Sequence, residues 1–318
     1  VVIACRDNGL SESVAEDAVL GCVRSYREHM AEFAEMKALE LWYFAFEAET
    51  LIASIKDSGI RRMALKNLAK AREKSNSEAL FPKLVADAEG SPIFKEQLPG
   101  IFHWEGHTPG EIHPEVKDAF ARYRESMAPN HRVLLDRYEI KDAAAKVVGV
   151  GSVGTLCWII LLVAGEGDPL ILQVKEARAS VLEGFAGKSI YPNHGQRVVN
   201  GIRLMQPASD IFLGWTEGRL GRHFYVRQLR DVKMKFAVEA FDAARMTIFS
   251  ECCGYSLALS HARSGDPTII SGYLGKSETF DKAIAAFSVA YADQNERDYQ
   301  SVKNAAQAGK LKVLIEEE

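Results

Sequence analysis

The spacing of apolar positions divides the chain into a helical stretch, a mixed stretch and a second helical stretch. Between Val14 and Glu35 the apolar positions Val14, Ala18, Cys22, Val23, Tyr26 and Met30 recur at helical spacing, and Ser13 with Glu16 has the form of a capping box. Leu39 to Ile55 is rich in aromatic residues, Trp42, Tyr43, Phe44 and Phe46, and reads as core. Ile60 to Lys74, whose basic residues are interleaved with Met63, Leu65, Leu68 and Ala69, reads as an amphipathic helix with a basic outer face. Ser77 caps a further short helix to about Ala88, and Pro92 to Pro114, with four prolines, reads as an irregular surface run. Two more short helices follow, from His113-Pro114 to Ser126 and from Asn130 to Tyr138.

The period then changes. Residues 147 to 177 read VVGVGSVGTLCWIILLVAGEGDPLILQVKEA. Gly149, Gly151 and Gly154, with Ser152 between them, fit the pattern G-x-G-x-x-G, which opens either a dinucleotide-binding strand-turn-helix or a hairpin that covers ATP. The dinucleotide alternative needs a helix directly after Gly154. Leu156 to Val163 is instead a continuous apolar run with Ile159, Ile160 and Val163, the composition of a buried strand. Gly165 to Pro169 is turn chemistry, and Leu170 to Val174 leads into Lys175.

This order predicts that Val147–Gly151 and Leu156–Val163 pair as an antiparallel hairpin and that Leu170–Val174 adds as a third strand. Alternation along that third strand places Gln173 and Lys175 on one face and Leu172, Val174 and Glu176 on the other. Glycine lets backbone N–H groups approach a phosphate, and a lysine supplies a point charge to it. Glu183 is the nearby candidate for an acidic partner of Lys175, because the helix read from Gln196 to Ala208 has no acidic residue. Asp210–Trp215 and His223–Leu229 supply a fourth and a fifth strand. Gln228 and Leu229, at the end of the fifth, stand where backbone groups would meet an adenine. Arg227, Arg230 and Lys233 can equally form surface pairs with Asp231. From Phe236 the pattern is helical to Ala308, in three pieces: Phe236–Ala262, Thr279–Gln294 and Arg297–Ala308.

Composition narrows the function classes. A chain of 318 residues, 47% hydrophobic and 26% charged, builds a sizeable core, and two lobes are expected. A formal charge of -4 gives no overall attraction to nucleic acid or an anionic membrane. The five cysteines are scattered without a C-x-x-C pair, which is reduced, cytoplasmic usage, and Cys252 and Cys253 read as buried core residues. The longest apolar run, Leu156 to Ala164, falls short of the roughly 20 residues a membrane helix needs. His103, His107 and His113 sit in a proline-broken segment and share no helix face, so no metal site is expected from them. In HARSGD, His261 and Asp266 are five apart, not the two of a catalytic H-x-D loop, and His261 reads as structural.

At VVGVGSVGT, LQVKEA, GQRVV, ASDIFLGW, YVRQLRDVK, HARSGD, GYLGKS and YADQNERD the sequence resembles the bacterial domain of unknown function family 2252, over nearly its whole length. That resemblance implies a distant, permuted kinase-like relationship, in which motifs similar to G-D-x-H-x-x-N and N-D-F-D precede the glycine loop. Neither occurs in this chain, which also begins without methionine, so it is expected to be a C-terminal portion and inactive by itself. The expected architecture is α+β and kinase-like: a glycine-loop antiparallel lobe 141–232 of about five strands with two helices, and helical segments 1–140 and 233–318 that together build one larger lobe. The expected function is a nucleotide-binding, phosphotransferase-like protein. ATP is the expected cofactor, with Mg only if the upstream motifs are present; the acceptor is unknown, and neither nucleic acid nor membrane is a partner. A non-catalytic, pseudokinase-like regulatory or interaction domain is the first alternative, and an NAD-dependent oxidoreductase the second.

Overall fold

The structure is a computed structural model that describes residues 1–44, 49, 52–53, 55, 57–73, 81–88, 91–104, 108–165, 167–229 and 236–311. The readings that fall on Phe46, Ser77, His107, Arg230, Asp231 and Lys233 lie outside the described residues. The chain forms two compact units, Val1–Arg62 with Lys235–Glu318, and Met63–Met234. The expected 141–232 lobe falls inside the second unit, which also takes in the strands and helices from residue 81 onward.

The first unit is helical. Helices Val2–Asp7, Glu12–Glu35 and Ala38–Tyr43 come from its first segment, and Ala243–Ser264, Pro267–Leu274 and Thr279–Gln307 from its second. Ser11, not Ser13, caps the second helix: its extended backbone turns Oγ back to accept from the Val14 N–H at 3.3 Å. Thr279–Gln307 is one continuous helix where two were expected, since nothing from Gln294 to Arg297 breaks it. Two apolar clusters join the segments, one around Cys5, Ala18 and Met246, the other around Met30, Phe33 and Ala258. Between Glu12–Glu35 and Ala243–Ser264, a Cβ on Gly254 would stand 2.0 Å from the Cys22 carbonyl oxygen, so only glycine permits this approach. Cys252 and Cys253 are half-buried rather than core, and Trp42 and Tyr43 are exposed, Trp42 lying under the Arg263 guanidinium. His261 Nδ1 lies 3.0 Å from the Tyr26 hydroxyl, a structural role.

The second unit is built on a sheet. Its strands are β1 (Val85–Ala88), β2 (Ser91–Phe94), β3 (Ile101–Phe102), β4 (Tyr138–Lys146), β5 (Cys157–Ala164), β6 (Asp168–Ala177), β7 (Gly214–Glu217) and β8 (His223–Gln228). β1 and β2 form a two-stranded hairpin, and the other six form an antiparallel sheet in the order β3-β4-β5-β6-β8-β7. The architecture is therefore α+β, with six strands plus two instead of about five.

Several boundaries differ from expectation. Val147–Gly151 is not the first strand of the hairpin; Tyr138–Lys146 is, and the residues after it turn through a short 3-10 segment at Val150–Ser152. Glycines hold no cross-strand side-chain contacts, so the strand ends before them. The helix expected to reach Tyr138 stops at Leu135, and the expected helix to Ala88 ends in strand β1.

Each face of the six-stranded sheet packs on its own cluster. Ile160, Leu162, Leu172, Val174, Phe224 and Val226 meet Tyr123 and Met127 of the Pro114–Glu125 helix region. On the other face Ile159, Leu161 and Ile171 meet Val85, Phe94 and Ile101. Asp142, fully buried on this second face, accepts from the Phe94 N–H at 2.7 Å and the Gly110 N–H at 3.2 Å, and lies 2.9 Å from His103 Nε2.

Candidate functional site

Register fixes which side chains share the Lys175 face. Lys175 is opposite Cys157 on β5 and Tyr225 on β8, and Gln173, two residues before it, is opposite Ile159 and Arg227. Alternation along β4 carries Lys146 to the same face, since it pairs with the inward Ile101 and stands two residues after Ala144. Three cations, Lys146, Lys175 and Arg227, thus meet on one end of one face. Gln173 ties the row together: its amide Nε2 donates to Cys157 Sγ at 3.6 Å, and its Oε1 accepts from Arg227 Nη2 at 3.3 Å. Burial pushes the Cys157 thiol pKa up, against the pull of Lys175, the Gln173 hydrogen bond, Lys146 and Arg227. Among the described residues no carboxylate lies within ion-pair distance of any of the three cations.

The turn between β4 and β5 lies at this end of the sheet. Gly149, Gly151 and Gly154 are exposed with no atom near their Cα substituent positions, and Gly154 has φ +76°, a conformation favouring glycine. Ser152 N–H donates to the Gly149 carbonyl at 2.9 Å, and the Thr155 hydroxyl donates to the Ser152 carbonyl at 2.7 Å. The exit of the turn is clamped from β6. Glu176 Oε2 accepts from the Leu156 N–H at 2.9 Å, while the Leu156 carbonyl accepts from the Glu176 N–H at the same distance. Arg178 donates to the Gly154 carbonyl and, through Nε at 3.2 Å, to Glu176 Oε1. The Arg178 carbonyl in turn accepts from Arg197 at 2.9 Å.

Arg197 belongs to the helix His194–Met205, which packs on β6, β7 and β8. It lies on the Lys175 face, because the Pro114–Glu125 helix occupies the other side of β7 and the His194 ring sits against His223, which shares its face with Tyr225. A Cβ on Gly195 would be 2.1 Å from the Phe224 carbonyl oxygen, so this helix approaches β8 as closely as backbone permits. The helix carries no carboxylate.

The remaining expected residues are spread apart. Glu183 begins the short Glu183–Ala186 helix and its Oε1 accepts from the Ser180 N–H at 3.4 Å; no Glu183–Lys175 ion pair exists among the described residues. Leu229 packs on the Lys175 face, with its N–H on the Ile171 carbonyl at 2.9 Å. Gln228 alternates to the other face, with its N–H on Asp210 Oδ2 at 2.5 Å. Both N–H groups expected to face an adenine are therefore engaged inside the protein. Among the described residues no group of three or more His, Cys, Asp and Glu side chains is placed to hold a metal ion.

Against known protein families, residues 1–305 match one model, described as "Uncharacterized protein conserved in bacteria (DUF2252)". The chain belongs to that family. No curated protein and no solved structure matches it. The family membership agrees with the motif resemblance and adds no reaction to it. Two features of the site escaped the sequence: the Glu176–Arg178 clamp and the gathering of Lys146 and Arg227 beside Lys175. Lys146 is separated from Lys175 by the glycine turn and the whole of β5, and Arg227 by two helices and β7, and only strand register reveals such neighbours. No helix among the described residues is long and apolar enough to cross a membrane.

Proposed function

We propose that this family member binds a nucleotide, with its phosphates held between the glycine turn and the cations of the Lys175 face, in a phosphotransferase-like protein. One observation carries the reading: Lys146, Lys175 and Arg227 share one end of one sheet face without a carboxylate, among the described residues, to neutralise them. Gathering like charges is unfavourable unless an anion compensates them. The flexible glycines at the same end offer backbone N–H groups to that anion. ATP is the ligand to try first. The order of strand, glycine turn, strand and strand with lysine is that of an ATP-covering hairpin. A strand, β5, follows the glycines, where a dinucleotide fold would place a helix.

The test is a calorimetric titration of the chain with ATP and with its Lys175→Met variant. Losing a charge-assisted contact weakens binding by roughly tenfold or more. Thermal unfolding of the variant stays unchanged, because an ammonium without a partner adds little stability. Equal affinity of the two proteins for ATP would remove the reading.

A second reading is favoured by a separate observation. The helix on the Lys175 face has no acidic residue, whereas a kinase lysine is held by a helix glutamate. In this reading the nucleotide is a ligand of a non-catalytic domain, and ATP bound by the protein is recovered intact after prolonged incubation. Release of ADP that is lost in Lys175→Met would reject it in favour of a phosphotransferase.

A further inference from the structure

The face of the sheet opposite Lys175 holds a cavity of about 490 Å³, a size typical of small-molecule sites. Its floor is Trp158, Ile160, Val174 and Phe224, and Val116 and Phe120 form the facing wall. Trp104 closes one side, edge-on to Trp158 with ring centroids 4.8 Å apart. Polar groups in the wall are already satisfied. Thr216 Oγ1 donates to the Ala119 carbonyl at 2.6 Å, and the Tyr123 hydroxyl donates to the Phe212 carbonyl at 2.6 Å. The lining is therefore chiefly aromatic and aliphatic, with His113 and Glu115 the further polar side chains beside the arginines, and a ligand group that met the apolar part with an unpaired donor or acceptor would lose its hydration without return.

The mouth is different. Arg219 and Arg222 border it, either side of Leu220, which is exposed and adopts φ 60°, a strained conformation for a branched side chain. Arg219 is 3.3 Å from Glu115, and Arg222 is 3.5 Å from Glu176. Glu176 is already engaged by Arg178 at 3.2 Å and by the Leu156 N–H, so Arg222 is the loosest of its partners. Of the charged groups that line the cavity two are guanidiniums, Arg219 and Arg222, and one is a carboxylate, Glu115, leaving one positive charge in excess at the rim.

We infer that this cavity is a binding site for a small amphipathic monoanion, an aryl or medium-chain acyl carboxylate, with its apolar body between Trp158, Phe224 and Phe120 and its carboxylate on Arg219 and Arg222. An apolar interior selects the body, and the excess guanidinium charge selects the head group. The site lies on the opposite sheet face from the phosphate-binding one and does not depend on it.

Decanoate, decanol and decylamine serve as probes of matched body and different head group, titrated calorimetrically into the full chain and followed by the emission of Trp104 and Trp158. Decanoate binds saturably with one site per chain and shifts the tryptophan emission, while decylamine does not bind. In Arg219→Gln/Arg222→Gln decanoate affinity falls roughly tenfold and decanol affinity is unchanged. Val116→Trp, which fills the wall, abolishes binding of decanoate and decanol together. Circular dichroism checks that both variants fold, and the head-group comparison on the unaltered protein stands even where a variant does not. Decanoate that fails to saturate, or decylamine that binds as well as decanoate, overturns the proposal, as does decanoate affinity unchanged in both folded variants.

Discussion

Asp142 shows how much a single side chain organises in the sheet-bearing unit. Its buried carboxylate joins β4 to β2 through the Phe94 N–H, and to the segment before the Pro114–Glu125 helix through Gly110 and His103. Asp142→Ala leaves a buried N–H without an acceptor and is expected to lower stability by about 3–5 kcal/mol, read from the denaturant midpoint. Glu176 belongs to the same scale. Burial pushes its carboxyl pKa up, but the Arg178 and Leu156 hydrogen bonds and the charges of Arg178 and Arg222 outweigh burial and leave it lowered. A carboxyl lowered on folding contributes stability that is complete above its unfolded value of 4.5 and is lost as pH falls through the folded value. Amide exchange at residues 154–156 therefore rises on acidification below about pH 4, and Glu176→Gln removes that dependence. The face of Lys175, and the opposite face of Glu176, follow from alternation alone. What Glu176 holds does not, because Leu156 comes to it only when β5 and β6 pair in their observed register.

At the scale of elements, β5, β6 and β8 are recognisable because their apolar runs are bounded by turn residues, whereas of the expected Asp210–Trp215 only Gly214 and Trp215 are strand, in β7. β4 was missed. Its sequence, YEIKDAAAK, has the alanines and charges of a helix, and only its neighbours β3 and β5 make it a strand. β1 was misread for the same reason, since VADA acquires strand structure by pairing with Ser91–Phe94. The helix His194–Met205 was placed within two residues at its start, yet its closeness to β8 depends on Gly195, whose role the sequence conceals. Gly195→Ala sets a Cβ against the Phe224 carbonyl and forces the helix outward. It should cost about 1–3 kcal/mol, measured as a fall in unfolding free energy, with a gain in exchange at the β8 amides. Wild-type stability in that variant would mean the helix does not pack as described.

For the whole molecule, the α+β class and the family were readable from the residues. The bounds of the two units were not, since no linker composition marks residues 62 or 235. The first unit is assembled from two segments whose clusters join Val2, Ala18 and Val23 to Met246, Ala285 and Ala292. The order of assembly follows from this division. While Met63–Met234 is unfolded, joining the two segments of the first unit means closing a long, loose loop; once the intervening unit is compact, much of the entropy of closure is already lost. The intervening unit, whose strand pairs β4–β5 and β5–β6 are neighbours in sequence, meets no such barrier. In pulse-labelled refolding, amides of β5 and β6 should gain protection before those of Glu12–Glu35 and Ala243–Ser264, and protection of the two helices first would reverse the order. A mutation that slows the sheet would then delay helices that belong to the other unit.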